Sequence, residues 1–256
     1  MTPLVISILC LTMIGTSFLS GIFGMAGGLI LIGILLAIMP VQDAMMLHGI
    51  TQLASNGWRG VLWWRHVRWK SVGAYALGCA IALLLWSFTR YVPSKPVALL
   101  LLGLTPFMVR LAPKDYKPNP ESVSQGALYG TGCMTLILLT GVAGPLIDSF
   151  FLGGKLDRRE IVASKAVCQI FGHAAKLLYF GTLIDQTGSL DPIVATLAVF
   201  FSMVGTTLAT KVLEAMTDNQ FRLWANRIIT CIAGYYVAHG VFLAVYAQLY
   251  AQAHAN

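Results

Sequence analysis

Polar side chains recur in two matched copies along an otherwise apolar chain. Asp43, His48, Gln52, Asn56 and Arg59 meet Glu160, Lys165, Gln169, His173 and Lys176, each pair 117 positions apart (43 to 160, 59 to 176). The last four of each copy fall at i, i+4, i+8 and i+11, one stripe of a helix. Polar residues inside an apolar span are costly, so chance placement explains a matched stripe poorly. Gln52 and Asn56, and Gln169 and His173, fall near the middle of their spans and are the candidates for side-chain contact with a substrate. An amide donates two hydrogen bonds without a permanent charge, which suits an anion that must leave again. The competing reading is interhelical glue, worth about 1 kcal/mol per residue. His173 could also carry a proton or be a satisfied core histidine. Arg59 and Lys176 could bind an anion, yet they lie toward the ends of their spans, where long cationic stems reach the interface, and the interfacial reading is preferred. His48 and Lys165, at the opposite ends of the same helices, could line a vestibule. Asp148 reads either as a proton site or as a local cap.

The elements that must carry these residues are apolar segments at 4–39, 44–64, 72–88, 97–112, 126–152, 161–180, 193–213 and 221–250. A helix needs about 20 residues to cross a core of about 30 Å. The first and fifth segments, of 36 and 27 residues, are too long for a single simple span, and the first reads as either re-entrant or two full spans. Both contain glycine clusters, Ser20 to Gly28 in one and Thr140 to Pro145 in the other, where a helix cannot continue cheaply. Close packing of helices through small residues is the alternative use of such glycines. The residues Ser20 to Gly24 align with Thr140 to Gly144 at an offset of 120, so each copy of the repeat pairs a break with a polar helix. A helix that restarts after a break presents free N–H groups to the gap, which favours a bound anion. Gly24, Gly27, Gly28, Gly144 and Pro145 are expected to frame that gap.

Charge then orients the halves. Only 11% of the 256 residues are charged and 57% are apolar or aromatic, with a mean hydropathy of +0.75, which excludes a soluble domain. The net charge of +7 lies between the apolar runs, not on a basic patch, so it reports topology and not a nucleic-acid partner. Basic loops at 65–70, 110–117 and 155–159 should face the cytoplasm, and Asp185 and Asp191 should face outward. This is possible if the first and fifth segments are hairpins that enter and leave on one side. Three full crossings per half then remain, an odd number that inverts the second half relative to the first. Arg90 and Lys95 are the exception, since this scheme leaves them outside. The expected fold is an all-α membrane protein: a polytopic bundle of two inverted repeats, 1–112 and 125–256, each with a glycine-broken hairpin plus three spans, joined by a cytoplasmic linker at 113–124.

No P-loop, H-E-x-x-H or G-x-S-x-G occurs, which argues against an enzyme, and no cofactor is expected. The runs LSGIFGMAGG at 19–28 and LTGVAGP at 139–145, each followed by a span and a short basic loop, resemble the sulfite exporter TauE/SafE family. Ala26 replaces the leading glycine of that family's G-x-G-G-G run. The resemblance implies a multi-pass carrier in the bacterial inner membrane for a small anion such as sulfite, sulfoacetate or a related organosulfonate. Its partners would be that anionic substrate, the lipid bilayer and protons as a candidate coupling ion, with homo-oligomerisation left open. Both termini are expected outside. A passive anion channel and a carrier of a carboxylate anion are the alternatives.

Overall fold

A computed structural model describes residues 3–24, 26–111, 113, 117–152, 156–183 and 191–253. The sequence expectations that fall on Lys155, on Asp185 and on 114–116 of the linker lie outside the described residues. The described residues form ten α-helices and no strand: α1 Pro3–Phe23, α2 Ala26–Ile38, α3 Val41–Leu62, α4 Trp69–Thr89, α5 Lys95–Arg110, α6 Val123–Thr140, α7 Gly144–Leu152, α8 Arg158–Leu178, α9 Pro192–Ala215 and α10 Asp218–Ala253. Among the described residues, five helical segments are long and apolar enough to cross a membrane: Ile6–Phe23, Trp69–Thr89, Arg158–Thr182, Pro192–Ala215 and Asn219–Tyr246. The fold class is therefore an all-α membrane protein.

Both long apolar segments break at glycine. Gly24 and Gly141 take φ of +82° and +88°, the left-handed region that ends a helix at little cost only for glycine. Their N–H groups close the last turns on the carbonyls of Ser20 (2.8 Å) and Ile137 (2.9 Å). At about 1.5 Å per residue, α2 and α7 span roughly 20 and 14 Å, half-helices that stop short of a full crossing. α2 doubles back on α1, because a Cβ at Gly27 would collide with the Thr16 carbonyl. The two breaks correspond at an offset of 117 (Gly24 to Gly141), the same as the polar helices, so the offset of 120 read from glycine matching is corrected by three residues. Glycine identity misaligned them because Gly21 serves helix packing and not the break, its Cβ position meeting Ala209 of α9.

α1 packs on α9 as α6 packs on α4, each half lending its broken helix to a span of the other. Glycines let these backbones meet, Gly205 against the Ile14 carbonyl and Gly130 against the Tyr75 carbonyl. α5 pairs with α10, and α3 pairs with α8 at the centre. The central pair runs antiparallel: Gly49 abuts Leu177 near one end and Gly60 abuts Val167 toward the other.

Polar caps fix the ends. Asp157 and Glu160 form a capping box on α8, and Asp191 caps α9 through the Ile193 N–H at 2.8 Å. Arg68 pairs with Glu160 at 2.5 Å and Arg159 lies over Trp63, so the basic loop after α3 meets the basic start of α8. Gly57, in contrast, faces open space inside α3. Gly57→Ala should raise stability by about 0.5–1 kcal/mol through helix propensity alone. The check is a higher melting temperature in detergent with unchanged transport.

Candidate functional site

The polar stripes of α3 and α8 face each other, and every member from His48 to Arg59 and from Lys165 to Lys176 is buried. Two clusters result, one at each break. At the first, Arg59 donates from one terminal nitrogen to the Ser20 carbonyl (2.7 Å) and from the other to Asn56 Oδ1 (2.5 Å). Lys165 reaches the same break from the other half. A Cβ at Gly24 would lie 2.8 Å from its Nζ and 3.9 Å from Arg59, so a side chain there would occupy the place of the ammonium. Lys165 also forms an ion pair with Asp148 of α7.

At the second break Lys176 donates to the Gly141 carbonyl (3.1 Å) and to His48 Nδ1 (2.8 Å). His48 Nε2 faces the Gly28 carbonyl at 3.0 Å. A carbonyl only accepts, so Nε2 carries the proton and Nδ1 offers its lone pair to the lysine. His173 sits edge-on to His48, with ring centroids 5.5 Å apart. Each break thus receives one long cationic side chain from its own half and one residue from the partner half.

Arg59 and Lys176 are 1% and 0% exposed, which corrects their interfacial reading: the stems turn inward to a backbone carbonyl at each break, Ser20 and Gly141. Lys165 and His48, read as vestibule residues, are core members of the two clusters. Asp148 caps no helix end; it is the partner of Lys165. Gly27 is also corrected, since it faces the α1 backbone and not the gap, whereas Gly28 lies against Gln52, whose Oε1 is 3.2 Å from a Cβ built there. Gly144 and Pro145 begin α7, with Pro145 beside Asp148 and Lys165 in one cavity. Gly141 was missing from the expected frame. Its signal was the 117 offset, which pairs it with Gly24.

Gln52 Nε2, Asn56 Nδ2, Gln169 Oε1 and His173 Nδ1 are buried atoms without a protein hydrogen-bond partner. Buried polar atoms are normally paired, so these four leave hydrogen-bonding capacity unused along the seam between α3 and α8. Charge adds a sign. Among the described residues, three buried cations (Arg59, Lys165, Lys176) face one buried carboxylate, Asp148. Buried charge without a counter-charge is strongly destabilising, and an anion would relieve it.

Half-helices meeting around a buried, cation-rich gap define a membrane transporter. The chain belongs to the sulfite exporter TauE/SafE family, whose model matches residues 9–236. It is also 31% identical over 126 residues to a carboxybiotin decarboxylase of Malonomonas rubra, a match that covers 43% of this chain and 31% of that protein. The chain thus spans less than a third of that relative's length. No solved structure matches it.

Proposed function

We propose that the protein is a secondary transporter that moves a small sulfur-containing anion, sulfite or a sulfonate such as sulfoacetate, across the bacterial inner membrane. The observation that carries this reading is the excess of buried cations at the two glycine breaks, interleaved with unpartnered polar atoms of Gln52, Asn56, Gln169 and His173. Arg59 and Lys176 supply charge, and the amides supply orientation. The antiparallel α3 and α8 and the exchanged packing of α1 with α9 and α4 with α6 support two inverted halves, 1–112 and 125–256, that rock around this site. In that arrangement the basic loops face the cytoplasm, both termini lie outside, and protons are the candidate coupling ion. A carboxylate substrate is the second reading, favoured by the partial similarity to a carboxybiotin decarboxylase.

Flux into proteoliposomes across sulfite, thiosulfate, sulfoacetate, taurine and simple carboxylates tests the substrate. Uphill accumulation that a protonophore abolishes supports a carrier, and flux that only dissipates a gradient supports a channel. Replacing Gln52 and Gln169 together with alanine should abolish transport while the protein still reaches the membrane. Wild-type flux in that double variant would sink the site assignment.

A further inference from the structure

A cavity of about 190 Å³ enters between α5, α7 and α10 and ends on the Asp148–Lys165 pair. Exposed Arg110 and Asn226 belong to its outer part; Pro145, Ser149 and the buried pair line it further in. Arg110 donates to Thr230 Oγ1 at 2.6 Å, which holds it on α10. At roughly 30 Å³ per water, the space is that of about six waters, enough for a small oxyanion.

The charges at the end of this cavity and behind it, at the Gly24 break, are unevenly matched. Lys165 has the carboxylate of Asp148, but Arg59 meets only neutral acceptors, the Ser20 carbonyl and the Asn56 amide. Both cations converge on Gly24, where the missing side chain makes room for the Lys165 ammonium, the far end of a flexible chain that can shift. An anion arriving there finds two positive groups, one of them already held by an internal carboxylate.

We propose that Lys165 is the receiving ligand for the transported anion and that Asp148 is its resident stand-in. This rests on the reading of the chain as an anion carrier. The substrate enters past Arg110, takes the place of Asp148 on Lys165 and lodges between Lys165 and Arg59 at Gly24. The released carboxylate turns toward the water of the cavity. Asp148 thereby competes with substrate at every cycle, which keeps binding weak enough for release and leaves no bare ammonium when the site is empty.

The test is equilibrium binding of radiolabelled sulfite to the purified protein in detergent, with the sulfite-induced rise in melting temperature as a second readout. Asp148→Asn removes the competitor and should lower half-saturating sulfite about tenfold, with a larger thermal shift than wild type at equal sulfite. Lys165→Gln should raise it about tenfold. The double variant D148N/K165Q leaves neither charge behind and should fold but bind as weakly as Lys165→Gln. A purely structural ion pair predicts lower stability in Asp148→Asn without tighter sulfite binding, and that result overturns the exchange. If Asp148→Asn does not fold, the double variant decides, since wild-type affinity in it overturns the role of Lys165. Wild-type protein that transports sulfite while Asp148→Asn binds it no more tightly defeats the exchange alone. Wild-type protein that binds none of sulfite, thiosulfate, sulfoacetate, taurine or simple carboxylates defeats the carrier reading and the exchange together.

Discussion

Arg59→Met and Lys176→Met should each reduce sulfite flux about a hundredfold or more. Each cation makes one hydrogen bond to a carbonyl at a helix break and a second to a side chain of α3, and a charge-assisted bond is worth about 1.5–3 kcal/mol. Loss of even one such interaction with a bound anion, together with the positioning of the break carbonyl, removes about 3 kcal/mol, or two powers of ten in rate. Methionine fills most of the vacated volume, and the carbonyl of Ser20 still accepts the Gly24 N–H at 2.8 Å. Folding should therefore survive with a modest loss, visible as a monodisperse peak on size exclusion. Arg59→Lys and Lys176→Arg keep the charge but change its geometry, and should recover part of the flux. Under the interfacial reading of these residues, all four variants would transport like wild type, so proteoliposome flux normalised to reconstituted protein decides between the two.

That interfacial reading shows where the sequence was informative and where it was not. The apolar segments, the two breaks and the matched stripe were legible because each depends on local spacing: helix period, span length and glycine punctuation. The direction of a long side chain was not. Arg59 sits near the end of α3, and position along a helix says nothing of whether a flexible stem turns to the lipid interface or inward to a carbonyl. The inward choice depends on the Ser20 carbonyl being close by, a contact across 39 positions. Lys176 and His48 meet across 128 positions, a pairing that follows only from the antiparallel docking of α3 on α8. The expectation that Arg59 and Lys176 reach the interface fails for the same reason. The chain has few charges, but the fold gathers three of its cations at the centre.

The glycines of the first break play different parts, and alanine substitution should separate them. Alanine at position 24 must adopt a φ near +82°, at a cost of about 1–2 kcal/mol for an L-residue in the left-handed region. Its Cβ would stand 2.8 Å from Lys165 Nζ, the far end of a flexible chain that can retreat. Gly24→Ala should therefore still fold, with a lower melting temperature, while the displaced ammonium leaves the gap and flux falls by more than tenfold. At Gly27 the obstacle is the Thr16 backbone carbonyl, with Ser20 Oγ 2.7 Å away. The hydroxyl can rotate away but the carbonyl cannot retreat unless α1 and α2 part, and overpacking of this kind costs about 1–3 kcal/mol or more. Gly27→Ala should be lost as folded protein before transport can be assayed. At the second break, the nearest neighbours of the new Cβ in Gly141→Ala are apolar side chains, with Ile32 Cγ1 at 2.9 Å and Met45 Sδ at 3.0 Å, so the backbone term should dominate and flux should fall less than in Gly24→Ala. Equal losses at positions 24 and 141 would mean that helix termination alone sets activity. A steeper loss at 24 ties activity to the ammonium of Lys165, because that is the group a new side chain there would displace.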